Sequence, residues 1–344
     1  MEKQRIEGID FARTLAFIGM VVVNFKTVLV VEADHSVSYY FSTFLEGKAA
    51  ACFIVIAGLG IAMSSDKLSF SQILKRAAFL LAIGLVNRLV FEADIIHYYA
   101  FYFLFGSLLV GLSIRRLTFS FIVINLVSLV FILLFDYDRG WNWETLHYSG
   151  FWTAEGFIRS LFFNGYHPVF PWIGFIAVGA GIAKLKLTET KTQNMMIATG
   201  ILLIIAMSFT EKALFALFIH DAPELTELFV TGPIPPNPLY MLTGTGAALF
   251  TIGFCLKITP LISGLKLFEM SVSLGKQTLS LYFAHIIIGM GFLEYLGYLN
   301  EPQSIETALF ASFIFVVFAF AYTALWRLKF RNGPIESLMR WATK

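Results

Sequence analysis

The chain has 344 residues, 58% of them hydrophobic and only 14% charged, with a formal net charge of +2. That is too apolar for a soluble domain of this length. The class that remains is a polytopic membrane protein, with the bilayer as its partner and no nucleic acid expected.

Windows of roughly 20 apolar residues, the length that crosses a bilayer, fall near 9–31, 47–65, 74–92, 97–114, 117–135, 167–184, 195–220, 238–257, 277–299 and 303–328. The expected fold is therefore all-α, with about ten transmembrane helices in a single domain over 1–344. Loop charges alternate with that count. Lys3, Arg5, Lys67, Lys75, Arg76, Arg115, Arg116, Lys184, Lys186, Lys191, Lys257, Lys266 and Lys276 fall on one side, with only Lys48, Arg88, Arg139, Arg159 and Lys212 on the other. Cytoplasmic loops collect Lys and Arg, so both termini are expected to be cytoplasmic.

The first span carries Asn24 among Val21, Val22, Val23 and Phe25, at bilayer depth, and His35 follows Glu32 and Asp34 where the span runs out. Eleven residues at about 100° each make about three turns plus 20°, so a helix continuing to His35 would put both side chains on one face. A signal peptide is rejected, because the stretch is too long, carries Asp10, Arg13, Asn24 and Lys26, and is followed by nine more spans. Asp10 and Arg13, three apart, read as a helical ion pair. Lys26 has no local partner and is expected to snorkel or to pair with a carboxylate on another helix. Cys52 and Cys255 fall at different depths, which disfavours a disulfide, and two isolated cysteines give no metal pattern.

Two external segments, 136–166 and 210–237, are long enough to shape a site. The first holds Asp136, Asp138, Trp141, Trp143, Glu144, His147 and Trp152; the second holds Asp221, Glu224 and Glu227. The tryptophans of 136–166 fit either an interfacial aromatic belt or a sugar-gripping surface. His285, inside the ninth span, fits either a hydrogen-bonding link between helices or a proton handler. Gly58, Gly60, Gly179, Gly181, Gly244 and Gly246 permit close helix approach, within one chain or between two in a homodimer.

Several segments resemble a known family. The opening Arg5-Ile-Glu-Gly-Ile-Asp10-Phe-Ala-Arg13, with the apolar run to Asn24, resembles the start of the transmembrane acyltransferase superfamily, in the branch of heparan-α-glucosaminide N-acetyltransferase and its bacterial relatives. Leu81 to Asn87 with Ala93 to Ala100, Gly165-Tyr-His-Pro168 with Pro171-Trp172-Ile-Gly174, Gly275 to His285, and Asn332-Gly333-Pro334-Ile-Glu336 resemble later family segments in the same order. Thr14 departs from the family's glycine after the arginine.

The resemblance implies an acyl-CoA-dependent transmembrane N- or O-acetyltransferase, multi-pass in a bacterial inner membrane. His35 and Asn24 reproduce the family's catalytic spacing: an imidazole to take the acceptor's proton, and a neutral amide to donate to the oxyanion. Asp34, as the sequence neighbour, fits either a role in orienting the imidazole or a solvent-facing position. The donor implied is acetyl-CoA, a substrate bound from the cytoplasm, with no metal. Arg13, Arg76, Arg115, Arg116 and Lys276 are the candidate phosphate partners. The acceptor is an amino or hydroxyl group of an extracytoplasmic sugar or envelope glycan, with Asp94, His97, Tyr98 and His285 as candidate binding residues. The rival class is a multi-span permease whose Asp10, Arg13, Lys26 and His285 relay protons.

Overall fold

The computed structural model describes residues 5–64, 69–222, 226 and 228–344; Lys3, Lys67, Glu224 and Glu227 lie outside them. In chain order the elements are α1 (Glu7–Val28), α2 (Val37–Leu45), α3 (Lys48–Ser64), α4 (Phe70–Arg88), α5 (Ile96–Leu109), α6 (Ile114–Leu134), the short hairpin β1 (Trp141–Asn142) and β2 (His147–Tyr148), and α7 (Ala154–Arg159). A π-helical turn (Ser160–Asn164) leads to α8 (Val169–Ile182), α9 (Thr190–Phe218), α10 (Pro238–Ile262), α11 (Lys266–Gly275) and α12 (Thr278–Ala284). A second π-helical turn (His285–Met290) runs into α13 (Gly291–Tyr295), followed by α14 (Ile305–Trp326) and α15 (Pro334–Ala342). The protein is an all-α polytopic membrane protein.

Apolar helices stand at all ten expected windows. Among the described residues eight helical stretches are long and apolar enough to cross a membrane, and α5 and α8 are shorter. At 1.5 Å per residue, 14 residues reach about 21 Å, less than the ~30 Å hydrocarbon thickness, so these two depend on neighbours to cover their ends. The helices start where short polar side chains accept the first free N–H groups: Ser36 for α2, Ser69 with Gln72 for α4, Asn237 for α10. Burial orders the bundle. In α10, 72% of the apolar window is buried, whereas α9 has 0% and lies at the rim, where Leu202 and Phe209 are exposed. Backbones touch where α3 crosses α8: a Cβ on Gly58 would sit 2.5 Å from the Ile176 carbonyl, and one on Gly179 2.1 Å from that of Val55. Gly58, Gly179, Gly244 and Gly246 thus serve contacts within the chain, while Gly60 and Gly181 face open space.

Helix α1 stops at Val28, short of the expected boundary. Val31 N–H donates to the Lys26 carbonyl and Val30 N–H to that of Thr27, closing a Schellman turn with Val30 at φ 48°. The Leu29 carbonyl then accepts the Gln303 N–H. His35 is therefore carried off the α1 axis, and the shared helical face with Asn24 does not form.

At the other end of α1, Asp10 takes Arg5 (2.5 Å) and Arg13 (2.7 Å), so the expected Asp10–Arg13 pair is present with a second arginine added. Arg13 also donates to the Gly275 carbonyl, and Thr14 Oγ1 to that of Ser271 at 2.6 Å. The close approach falls to Gly275, whose Cβ would meet the Asp10 carbonyl at 2.0 Å; Thr14 uses its hydroxyl to tie α1 to α11. Nearby, Glu336 of α15 accepts from Leu279 N–H (2.8 Å), Ser280 N–H (3.2 Å) and the Ser280 hydroxyl. This carboxylate caps the N-terminus of α12, and burial raises its pKa. Both chain termini consequently lie at one end of the bundle.

Candidate functional site

Two cavities lie end to end along α1. The one nearer the termini, about 320 Å³, has Arg13, Arg76, Lys276 and Glu336 among largely apolar walls. The other, about 390 Å³, has Asn24, Thr27, Glu46, Tyr166 and His167. Met20, Ile95 and Tyr282 line both, so three side chains form a common wall. Eleven residues of α1 run from Arg13 in the first cavity to Asn24 in the second, about 16 Å along the axis.

Asn24 is held by the ninth span. The His285 ring bonds through Nδ1 to the Tyr282 carbonyl and through Nε2, at 2.9 Å, to Asn24 Nδ2. A carbonyl only accepts and an amide nitrogen only donates, so the ring is the neutral Nδ1–H tautomer with Nε2 as acceptor. Both imidazole nitrogens are thereby occupied. One Asn24 N–H is spent on His285 and the second remains for the cavity. His285 begins the π-helical turn that interrupts the ninth span. It is fully buried between Phe17 and Phe25 of α1 and Phe315 of α14.

His35 stands elsewhere. It lies exposed at φ 58° in the segment between α1 and α2, with Nδ1 3.1 Å from the Tyr40 hydroxyl, and it does not line the cavity holding Asn24. Asp34 accepts the Ser36 N–H instead of the imidazole, and that bond lowers its pKa. The imidazole that does share the cavity with Asn24 is that of His167. Its carbonyl accepts the Tyr102 hydroxyl, its ring packs on Trp172 at 4.7 Å, and its buried Nδ1 has no hydrogen-bond partner among the described residues.

Lys26 finds its carboxylate across the turn: Nζ lies 2.7 Å from Glu46 and 2.6 Å from Thr43 Oγ1, over the ring of Tyr39. Glu46 is the cavity's acidic side chain and was not singled out in the sequence. Only the folding of α2 back on α1 brings it to Lys26, 20 residues earlier.

Of the expected phosphate partners, Arg13, Arg76 and Lys276 converge on the cavity near the termini, whereas Arg115 and Arg116 are exposed at the start of α6, outside its lining. Arg76 Nε is buried with no acceptor among the described residues, and Arg340 of α15 adds a like charge near it.

Asp94, His97 and Tyr98 are fully buried and line neither cavity. Asp94 accepts from Asn87 Nδ2 (2.7 Å), Ile96 N–H (2.8 Å) and His97 N–H (3.2 Å), capping α5, and Tyr98 bonds to Ser160. Their chain neighbours Ala93 and Ile95 are the ones that meet the cavity. In the 136–166 segment Trp141 and Trp143 stack at 4.4 Å, with their N–H groups on the Asn164 carbonyl and Asp138, while Trp152 is exposed. Cys52 and Cys255 are free and buried. Among the described residues no group of three or more His, Cys, Asp or Glu side chains could hold a metal ion.

Residues 5–222 match the family described as heparan-alpha-glucosaminide N-acetyltransferase, catalytic. Residues 181–344 match a second family, described as a protein of unknown function (DUF418). No curated protein matches the chain.

Proposed function

Because the chain belongs to the heparan-alpha-glucosaminide N-acetyltransferase catalytic family of membrane acetyltransferases, we propose that it moves an acetyl group across the bilayer from acetyl-CoA to an amino or hydroxyl group of an extracytoplasmic sugar or glycan. The whole of 1–344 acts as one catalytic unit in a bacterial inner membrane, with the terminal end in the cytoplasm. The observation that carries this reading is the pair of cavities sharing the wall of Met20, Ile95 and Tyr282. Arg13, Arg76 and Lys276 would hold the phosphates of the donor, and its slender thioester arm would pass Tyr282 to bring the acyl carbon to Asn24.

The acceptor's nitrogen or oxygen attacks the thioester carbon as an imidazole takes its proton. The free N–H of Asn24 donates to the resulting oxyanion, and collapse expels the thiolate, which recovers the proton from the imidazolium. His35, exposed in the 29–36 segment that follows α1, is the proposed base. A second reading gives that role to His167, because it already lines the cavity and its Nδ1 is unshared. His285, with both nitrogens bonded, positions Asn24 and does not transfer the proton.

The test is acetyl transfer to glucosamine by the purified protein in nanodiscs. His35→Ala should lose roughly 10²–10⁴-fold in rate with acetyl-CoA binding kept. Near-normal turnover in that variant together with a comparable loss in His167→Ala would move the base to His167. Absence of any transfer or acetyl-CoA binding by the wild type would defeat the reading as a whole.

A further inference from the structure

A third cavity, about 420 Å³, lies between α1, α9 and α10 on the side of the bundle away from the cavity near the termini. Its walls are almost wholly apolar, with Ala16 and Gly19 on α1, Ile201 and Ile205 on α9, and Phe250 on α10. Ile201 and Ile205 are strongly exposed on a rim helix, so the groove opens sideways into the hydrocarbon of the bilayer. Leu45 and Ala49 line both this groove and the outer cavity that holds Asn24, so the two spaces adjoin across the α2–α3 turn.

The groove has one cation, Lys48, at that junction. Among the described residues Lys48 makes no ion pair; its ammonium lies over the Phe44 ring at 5.2 Å. Two carboxylates act on it through space without touching it: Glu46, paired with Lys26 at 2.7 Å, and Glu211, which accepts the Thr231 N–H and hydroxyl at 3.0 and 2.7 Å and keeps its charge. A partly buried ammonium between an apolar groove and a polar cavity matches an amphiphile in which an anionic link joins a hydrocarbon chain to a polar head.

We propose that the acceptor is lipid-anchored: its alkyl or prenyl chain lies in the groove, its phosphate link meets Lys48, and its amino or hydroxyl head enters the outer cavity beside Asn24. This rests on the reading of the outer cavity as the acceptor site. It also supplies a reason for the lateral opening, since a lipid-anchored substrate arrives by diffusion in the membrane plane.

Two probes test it in nanodiscs: a dodecyl phosphate carrying a diazirine on its chain, and glucosamine 1-(dodecyl phosphate) compared with glucosamine 1-phosphate as acceptors of acetyl from acetyl-CoA. Photolabelling should concentrate on groove residues of α9 and α10 and fall about tenfold in Lys48→Gln and in Ile205→Trp, which fills the groove from its exposed rim. The ratio of lipid to soluble acceptor turnover should fall by about the same factor in both variants. Labelling spread evenly over the lipid-facing helices, or a turnover ratio that neither variant changes, overturns the proposal. So does Ile205→Cys giving a disulfide-linked dimer in high yield, which would make a second copy of the chain the occupant. Groove labelling lost in both variants while the wild type acetylates neither acceptor would uphold the lipid site and refute the acetyltransferase reading instead.

Discussion

If His285 acts only by holding Asn24, removing both should cost no more than removing Asn24 alone. The His285–Asn24 bond is 2.9 Å long between a fully buried imidazole and an amide that lines the outer cavity. Asn24→Ala deletes the oxyanion donor, for which a loss on the order of 10²–10³ in rate, about 2.7–4 kcal/mol of transition-state stabilisation, is expected. His285→Ala leaves that amide in place but releases it and opens a void beside Phe17 and Phe25. The released donor costs about 1–3 kcal/mol if unsatisfied, and loss of its aim is expected to lower kcat about 10–100-fold with little change in KM for acetyl-CoA. The assay is initial-rate acetyl transfer by purified protein in nanodiscs, with monodispersity and acetyl-CoA binding measured on each variant. The double variant should match Asn24→Ala within about threefold. Two losses that multiply in the double variant would refute the positioning role and show that His285 acts on the reaction independently of Asn24.

Acetyl-CoA should raise the thermal midpoint of the wild type by mass action. Arg76→Ala should weaken its binding by about tenfold, while the joint change of Arg115 and Arg116 to Ala should leave it within about threefold; equal losses would place the phosphates on the α6 loop. Cysteines at Ser36 and Thr145 should react with an impermeant maleimide outside intact cells and one at Thr188 should not, and the reverse pattern would invert the direction of transfer. Glu336→Gln should lower the thermal midpoint by weakening the α12 cap, which is worth about 1 kcal/mol. Since burial raises the folded-state pKa of Glu336, its contribution is fully present below the ordinary carboxylate value and declines as pH rises through the folded one. The stability gap between wild type and Glu336→Gln should therefore widen on going from pH 7.5 to below 4.5, and a gap that narrows would contradict the assignment.

The spans were legible because transfer into a bilayer is a sum over about 20 consecutive residues, a local property that needs no knowledge of neighbours. The Asp10–Arg13 pair was legible for the same reason, since three residues along a helix fix the geometry. The cluster of Arg13, Arg76 and Lys276 was legible in part: basic loops mark one end of the bundle, but which of them meet depends on how α1, α4 and the α11–α12 turn pack, and Arg115 and Arg116 fell outside. Tertiary structure alone decided the surroundings of Asn24. The sequence pointed from Asn24 forward to His35 along one helix, yet α1 ends in a Schellman turn whose left-handed position is Val30, a β-branched residue that gives no glycine signal, and whose end is fastened by Gln303. The imidazole that does meet Asn24 lies 261 residues away, at the start of a π-helical turn that no periodicity announces. Glu46 was invisible for a related reason: a carboxylate between two apolar runs reads as a loop residue until its helix folds back onto Lys26. Local free energies fix which segments enter the membrane, whereas the partners of a polar group inside it are fixed by the packing of helices distant in sequence, because only another part of the chain can replace the water it has lost.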